Sequence, residues 1–223
     1  PFPIVIGKNQ RKSEGELRTV REKLQQSGML LADFPELCMP FKAVGGWSSR
    51  ARMQTVAGEP SNLELAADHL IYPTIGRHQL PDDWPDVLEP VSNGQILASI
   101  GIDGSIRGTN YRDRRPSIAI IDDIEDRQAA DSDALIEKNE ETIEKDIAGL
   151  AASAKRVARV LLCTIQNRKC IAYKFTDPTK KPSFKGRRYR KMITPPDRMD
   201  MVQEYLRLRI ERAEDDPDAR VAY

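Results

Sequence analysis

Three continuous apolar runs alternate along the chain with stretches in which apolar residues recur at helical spacing. The runs lie at 4–7, 118–121 and 157–164 and have little polar alternation, the pattern of strands that are buried on both faces. Helical spacing follows the first run, over 13–28, and links the other two, over 132–152. Buried strands joined by helices form βαβ units, so the pattern predicts an α/β fold with a largely parallel sheet and helices on its faces.

Local signals predict where several of these elements begin and end. Ser13 and Glu16 have the spacing of a capping box, and Gly28 stands where the first helix is expected to end. The dipeptide Asp103–Gly104 lies between β-forming residues on either side. It therefore predicts a β-hairpin.

Closely spaced prolines interrupt every pattern over 57–93, which we interpret as an insertion in a core that covers 1–195. Helical spacing returns from about Asp197 to Ala213. The segment 196–223 is therefore expected to be a C-terminal helix that serves as a lid or a linker.

The charge of the chain limits the ways in which it can bind nucleic acid. Among its 223 residues, 35 are Lys or Arg and 34 are Asp or Glu, which gives a formal net charge of +1. Binding DNA by bulk charge needs a clear basic excess, so any contact with nucleic acid has to be local. No apolar run approaches the length that crosses a bilayer, and the balance of residues is typical of a soluble globular protein.

The cysteines and histidines give little sign of a metal site. Cys38, Cys163 and Cys170 lie far apart or in apolar surroundings and form no CxxC pair, which favours a reducing cytoplasm. His69 and His78 have no cysteine partner nearby in the sequence, so a zinc site is disfavoured.

The stretch IAIIDDIED at 118–126 is the most informative in the chain. Its apolar run predicts a buried strand, and Asp122 and Asp123 follow at the carboxyl end, where open α/β sheets bind ligands. Carboxylates there suit Mg²⁺, which is held by one or two protein oxygens together with water and phosphate. The pattern resembles a Walker B element, with Asp122 on the Mg²⁺ ion and Asp123 activating water. The alternative is that the two aspartates cap the next element or face solvent.

A second alternative is that the acids of this stretch form a two-metal nuclease site. Adjacent residues of one strand point to opposite faces of the sheet, which disfavours that interpretation. The four acids concerned are Asp122, Asp123, Glu125 and Asp126.

A set of motifs in this order resembles the motor domain of large terminases from tailed phages. The motifs are an IVIG strand at 4–7, KLQQSGMLLADFPE at 23–36, GSIRGTN at 104–110, RRPSIAIIDDIED at 114–126, LLCTIQN at 161–167 and RYRKMITPPDRMDMVQEYLRLR at 188–209. The resemblance implies a three-layer ATPase core of the ASCE, P-loop type. It also implies an ATP-driven motor that packages viral DNA, with Mg²⁺ and ATP as cofactors and a nuclease domain following the motor.

The same resemblance implies two roles, that of a sensor and that of an arginine that reaches a neighbouring subunit. Thr164, at the end of the strand next to Walker B, would be the sensor of the γ-phosphate or the attacking water, with Gln166 a weaker candidate. Arg107 would complete the ATP site of a neighbouring subunit in a ring, with Arg112 and Arg114 as rivals. For each arginine the alternative is a surface residue that pairs with the acidic helix at 137–146.

A basic segment at 180–191 is a candidate DNA contact. It interleaves Phe184 and Tyr189 with seven basic residues, a composition that suits backbone contact with occasional stacking. The alternative is a solvated loop. Candidate DNA-binding residues are Lys185, Arg187, Arg188 and Arg190. The implied partners are double-stranded DNA, other terminase subunits in a ring, the small terminase subunit and the portal, with no membrane, in the host cytoplasm.

One family motif is missing from the sequence. A P-loop reads G-x-x-x-x-G-K-[ST], whereas 7–13 has its residues in the wrong order and 45–50 has no lysine in place. The family places the P-loop before the IVIG strand, so we expect the core to be incomplete at its N-terminus and hydrolysis by this chain alone to be doubtful. The alternative function is a non-catalytic DNA-binding or assembly module that keeps the fold.

Overall fold

A computed structural model describes residues 2–46, 48–80, 90–151, 156–190, 194 and 197–215, with only the backbone for 210–215. The chain divides into two compact units, Pro1–Phe184 and Lys185–Tyr223. The first unit contains all the described strands.

The strands of the described chain are short. They are β1 (Pro3–Gly7), β2 (Thr55–Val56), β3 (Glu59–Pro60), β4 (Glu64–Leu65), β5 (His69–Ile71), β6 (Ile96–Gly101), β7 (Ile118–Asp122) and β8 (Ala158–Leu162). Two of them, β2 and β3, have two residues each and form a separate hairpin.

The helices group in two stretches of the first unit, with one more in the second unit. They are α1 (Gln10–Gln26), α2 (Gly28–Asp33), α3 (Pro35–Val44), α4 (Ser48–Arg52), α5 (Arg127–Asp131), α6 (Asp133–Glu141), α7 (Ile171–Phe175) and α8 (Met199–Asp215). A π-helical turn at Thr142–Asp146 and 3₁₀ turns at Arg77–Gln79 and Ala148–Leu150 complete the helical segments of the described chain.

A six-stranded sheet of order β4-β5-β6-β1-β7-β8 forms the centre of the first unit. Strands β6, β1, β7 and β8 run parallel, whereas β4 and β5 pair antiparallel at one edge. The prediction of an α/β fold with a largely parallel sheet is therefore confirmed.

Alternation along β1 separates two hydrophobic cores, one on each face of the sheet. Ile4 and Ile6 are fully buried and belong to a cluster that includes Ile143 and Ile147 from the segment after α6. Val5 points the other way and packs against a second cluster that includes Leu17 of α1 and further residues of α3. Helices thus cover the sheet on both sides, as its nearly continuous apolar strands require.

Two predicted helix boundaries differ from those observed. Helix α1 begins at Gln10 and is capped by Asn9, whose side chain accepts from the Lys12 backbone N–H at 2.9 Å, so the predicted capping box is wrong. Ser13 instead lies buried inside the helix, where its hydroxyl donates to the backbone carbonyl oxygens of Asn9 and Gln10. Ser27, not Gly28, marks the end of α1, and its side chain caps α2.

The hairpin predicted at Asp103–Gly104 does not form, although residues 96–101 are a strand. Strand β6 already pairs with β1 on one edge and with β5 on the other. No edge is left for a returning strand, so residues 102–117 cross to β7 through turns.

The insertion predicted over 57–93 contributes to the sheet. It contains β3, β4 and β5, and the last two extend the parallel strands by an antiparallel hairpin. Residues 81–89 of this stretch lie outside the described residues. The helix predicted over 132–152 is present as α6 and the two turns that follow it, and residues 152–155 are not described.

Burial at the centre of the sheet predicts a clear contrast in stability between two isoleucines. Ile6 is fully buried, whereas Ile165, just after β8, is 43% exposed. Ile6→Val should lower the free energy of unfolding by about 0.5–1.5 kcal/mol. The matched change Ile165→Val should alter it by less than about 0.5 kcal/mol. Urea denaturation of both variants makes the comparison, and equal effects would contradict the described core.

Candidate functional site

The carboxyl ends of three parallel strands meet at one edge of the sheet. Strand β7 ends at Asp122 and lies between β1 and β8, with Asp122 opposite Leu162 in the ladder. Lys8 follows the end of β1, and Thr164 comes two residues after the end of β8. Sequence reasoning expected Asp122, Asp123 and Thr164 at this edge, and the strand order brings their backbones together.

Asp123 has an unusual backbone conformation. Its φ of 42° lies in the left-handed region, which is uncommon for a residue other than glycine and is often found at functional sites. The Asp123 N–H donates to the Leu162 carbonyl oxygen at 2.9 Å, and its own carbonyl oxygen accepts from Lys12 Nζ at 3.2 Å. These bonds hold the turn that follows β7 against β8 and α1.

Helix α1 supplies two side chains that sequence reasoning did not assign to the site. Lys12 Nζ lies 3.7 Å from Asp123 Oδ2 and 3.9 Å from Glu16 Oε1. The Glu16 carboxyl is close enough to Asp122 for the two carboxylates to repel each other, which adds to burial in raising the pKa of Glu16. The i, i+4 spacing of Lys12 and Glu16 was the available signal, because it places both on one face of a helix that follows a strand of the same sheet.

Several oxygen atoms of this group are buried without a hydrogen-bond donor. They are Asp123 Oδ1 and both side-chain oxygens of Glu16. Burial raises the pKa of the Glu16 carboxyl above its ordinary value of 4.5, and the Asp122 carboxylate raises it further, while Lys12 lowers it. Buried oxygens that lack donors match the ligand preference of Mg²⁺.

The same residues do not form a complete cage for a metal ion. Within the described ranges, no three side chains of His, Cys, Asp or Glu converge on one point. A Mg²⁺ ion at this edge would therefore take one or two protein oxygens and complete its shell with water and phosphate, which is the usual mode for nucleotide-bound Mg²⁺.

The two other acids of the stretch 118–126, Glu125 and Asp126, have structural partners. Glu125 is 4% exposed, and its Oε2 accepts from the Ile171 N–H at 2.7 Å, which ties this loop to α7. Asp126 caps α5 by accepting from the Ala129 N–H at 2.9 Å, and it forms an ion pair with Lys8. This division of partners gives no support to the two-metal nuclease interpretation.

The loop after β8 is fixed by a residue that sequence reasoning missed. Thr164 and Gln166 are exposed, whereas Asn167 donates to the Ala130 carbonyl oxygen at 2.7 Å and accepts from the Cys170 N–H at 2.9 Å. An asparagine between a strand and a helix is a common turn former, which was the available signal. Asn167 thus sets the path of the segment that carries Thr164.

The arginines proposed to reach a neighbouring subunit all have partners within this chain. Arg107 donates to Asp146 Oδ1 at 2.6 Å and is 69% exposed, so it makes the surface pair weighed as its alternative role. Arg112 donates to Glu64 Oε2 at 2.8 Å, and Arg114 to the Gly94 carbonyl oxygen at 2.8 Å. An exposed pair such as that of Arg107 contributes about 0–1 kcal/mol and opens readily.

A polar network anchors the loop that carries these arginines. Tyr111 donates to Asp68 Oδ2 at 2.8 Å, and His69 Nδ1 lies 2.9 Å from Asp68 Oδ1. His69 Nε2 lies 3.3 Å from Glu64 Oε1. Burial alone raises the pKa of Asp68, but the hydrogen bonds from Tyr111 and His69 outweigh it and hold that pKa below its usual value. His69 therefore has a structural place between carboxylates.

The basic candidates lie in the second unit, in a stretch without regular secondary structure. Tyr189 in their midst is 83% exposed. Phe184 belongs instead to the first unit, where its ring packs edge-on against Phe175 at 4.6 Å, so it is not available for stacking on a base. The exposed basic candidates are Lys185, Arg187, Arg188 and Arg190.

A groove of about 910 Å³ runs along α6, away from the end of β7. Acids of α6 and its extension line it, and they face lysines such as Lys169 and Lys174. Lys174 pairs with Glu140 at 2.8 Å and Lys169 with Asp133 at 3.2 Å. Because several of its charges are paired with one another, we place the candidate site at the carboxyl edge of the sheet.

None of the helices in the described ranges has both the length and the apolar character to span a bilayer.

Comparison of the chain with protein-family models, with curated proteins and with solved structures finds no significant match. The function is therefore inferred from the geometry of the site.

Burial and repulsion by the Asp122 carboxylate disfavour a charge on Glu16. We therefore expect the free energy of unfolding to rise when Glu16 loses its charge. Since its folded-state pKa lies above 4.5, stability falls as pH rises through that pKa. Glu16→Gln should raise the free energy of unfolding at pH 7 by about 0.5–1 kcal/mol, with little effect at pH 4. Urea denaturation at both pH values tests this, with exposed Glu22→Gln on the same helix as the control. Destabilisation by Glu16→Gln at pH 7 would contradict the arrangement.

Proposed function

We propose that the chain is the ATPase-domain portion of a phage or prophage large terminase, a motor that drives viral DNA packaging by Mg-ATP hydrolysis. The observation that carries the proposal is the pair Asp122 and Asp123 at the carboxyl end of a central parallel strand, next to buried oxygens that lack donors. Ligands of open α/β sheets bind at this edge. The motif resemblance supplies the particular class of motor.

Each proposed residue has a distinct role. Asp122 holds Mg²⁺, which when bound neutralises phosphate charge and polarises the γ-phosphate. Asp123 orients and deprotonates the attacking water, and its side chain is 46% exposed at this edge of the sheet. Thr164, exposed beyond the end of β8, senses the γ-phosphate. Arg107 leaves its surface pair with Asp146 to reach the neighbouring subunit of a ring.

The exposed edge strand β8 supports the expectation that the phosphate loop lies outside these residues. Strand β8 is last in the sheet order, and Val160 and Leu162 are 43% and 52% exposed along it. An unpaired strand with exposed apolar side chains is normally covered by another segment. The strand and helix of the phosphate loop, contributed from outside these 223 residues, would occupy this position.

The proposed partners follow from the same assignment. Double-stranded DNA contacts the basic segment of the second unit through its phosphates, and other terminase subunits complete a ring. The small terminase subunit and the portal join the assembly in the host cytoplasm. A non-catalytic DNA-binding or assembly module is the second candidate function, and the absence of a P-loop motif together with the exposed basic segment favours it.

The proposal predicts that Asp122→Asn abolishes ATP turnover by the complete gene product. Without this carboxylate the protein would no longer fix the Mg²⁺ ion that the phosphates carry, and the phosphates would not be positioned for attack. The matched control is Asp133→Asn, since Asp133 is 78% exposed and pairs with Lys169. A coupled phosphate-release assay on the two variants measures the effect.

Unchanged turnover in Asp122→Asn would refute the assignment. The 223-residue chain alone, titrated calorimetrically with Mg²⁺ and a non-hydrolysable ATP analogue, should bind the nucleotide weakly or not at all, because it has no P-loop. Micromolar binding that Asp122→Asn removes would instead place a substitute phosphate-binding segment within it. Salt-sensitive binding to duplex DNA by the complete gene product, with no response to nucleotide, would favour the non-catalytic module.

A further inference from the structure

We propose that Lys12 is a built-in counter-ion of the carboxylate group, and that it weakens the binding of a bare divalent cation. The inference rests on the proposed function, because it concerns the same metal site. It assigns a specificity role to a side chain to which the motif resemblance gives none.

The position of Lys12 carries the inference. Its ammonium group lies 3.7 Å from Asp123 Oδ2 and 3.9 Å from Glu16 Oε1, and the Glu16 carboxyl in turn adjoins Asp122. A positive charge thus already lies beside two carboxylates that neighbour Asp122, the proposed Mg²⁺ ligand. Lys12 occupies this place because α1 packs against β1 and β6, from where the long side chain reaches the turn after β7.

The hydrogen bonds of Lys12 leave capacity for a further ligand. An ammonium group has three donors. Among the described residues, one of them reaches an acceptor within 3.5 Å, the Asp123 carbonyl oxygen at 3.2 Å. The carboxylate oxygens at 3.7 and 3.9 Å attract the charge without completing hydrogen bonds.

A charge balance follows from this arrangement. A bare divalent cation has to approach a fixed positive charge, which lowers its affinity. A cation that arrives with phosphate groups brings negative charge toward the remaining donors of Lys12, so the repulsion is offset. Lys12 therefore favours a metal–phosphate complex, such as a metal-bound nucleoside triphosphate, over the free ion.

The test is calorimetric titration of the 223-residue chain with MnCl₂ alone, in wild type and in Lys12→Met. We expect Lys12→Met to bind Mn²⁺ about two- to fivefold more tightly, the effect of one partly exposed charge. Lys12→Arg retains the charge and should resemble wild type. Lys145→Met removes the same charge from an exposed pair with Glu141 and should also leave the affinity unchanged.

Each other outcome overturns the inference. Equal or weaker binding in Lys12→Met would show that the ammonium does not oppose the ion, and equal tightening in Lys145→Met would show an effect of net charge only. If neither wild type nor Lys12→Met binds Mn²⁺, the proposed metal site is refuted. Asp122→Asn separates the two proposals: if it abolishes Mn²⁺ binding while Lys12→Met has no effect, only the role of Lys12 fails. If Asp122→Asn leaves binding intact, the proposed metal site fails as well.

Discussion

The parallel alignment of β1, β7 and β8 is the constraint on which the candidate site depends. It brings three strand ends to one edge, so that Asp122, the turn at Asp123 and the loop after β8 become neighbours although they are far apart in sequence. The two hydrophobic cores hold this alignment, because the alternate residues of β1 are buried on opposite faces. A slip of one residue in any of these strands would exchange its two faces and separate the acids from α1.

The sequence predicted the central strands and the placement of Asp122 because four apolar residues in a row leave little choice of structure. It was wrong about the hairpin at Asp103–Gly104, since turn propensity is local whereas the edges of β6 are taken by β1 and β5. Lys12 and Glu16 were not predicted as site residues. Spacing shows that they share a helix face, but only the packing of α1 against β1 and β6 brings that face near the turn after β7.

The site combines features that cost stability. Asp123 has a left-handed backbone, and Glu16 presents buried oxygens without donors beside Asp122. Each such feature costs about 1–3 kcal/mol when it is not compensated. The Asp123 N–H and carbonyl oxygen are both paired, and Lys12 offsets part of the negative charge. Features of this kind are common at functional sites, and here two of them adjoin the end of β7.

The location of the proposed metal site is tested most directly by paramagnetic broadening of backbone amide NMR signals with substoichiometric Mn²⁺. The account predicts that broadening centres on 122–124 and 12–16, with weaker effects around Thr164. Broadening centred on the acidic segment at 137–146, or spread evenly over the surface, would contradict the claim that the carboxyl edge of the sheet is the functional site.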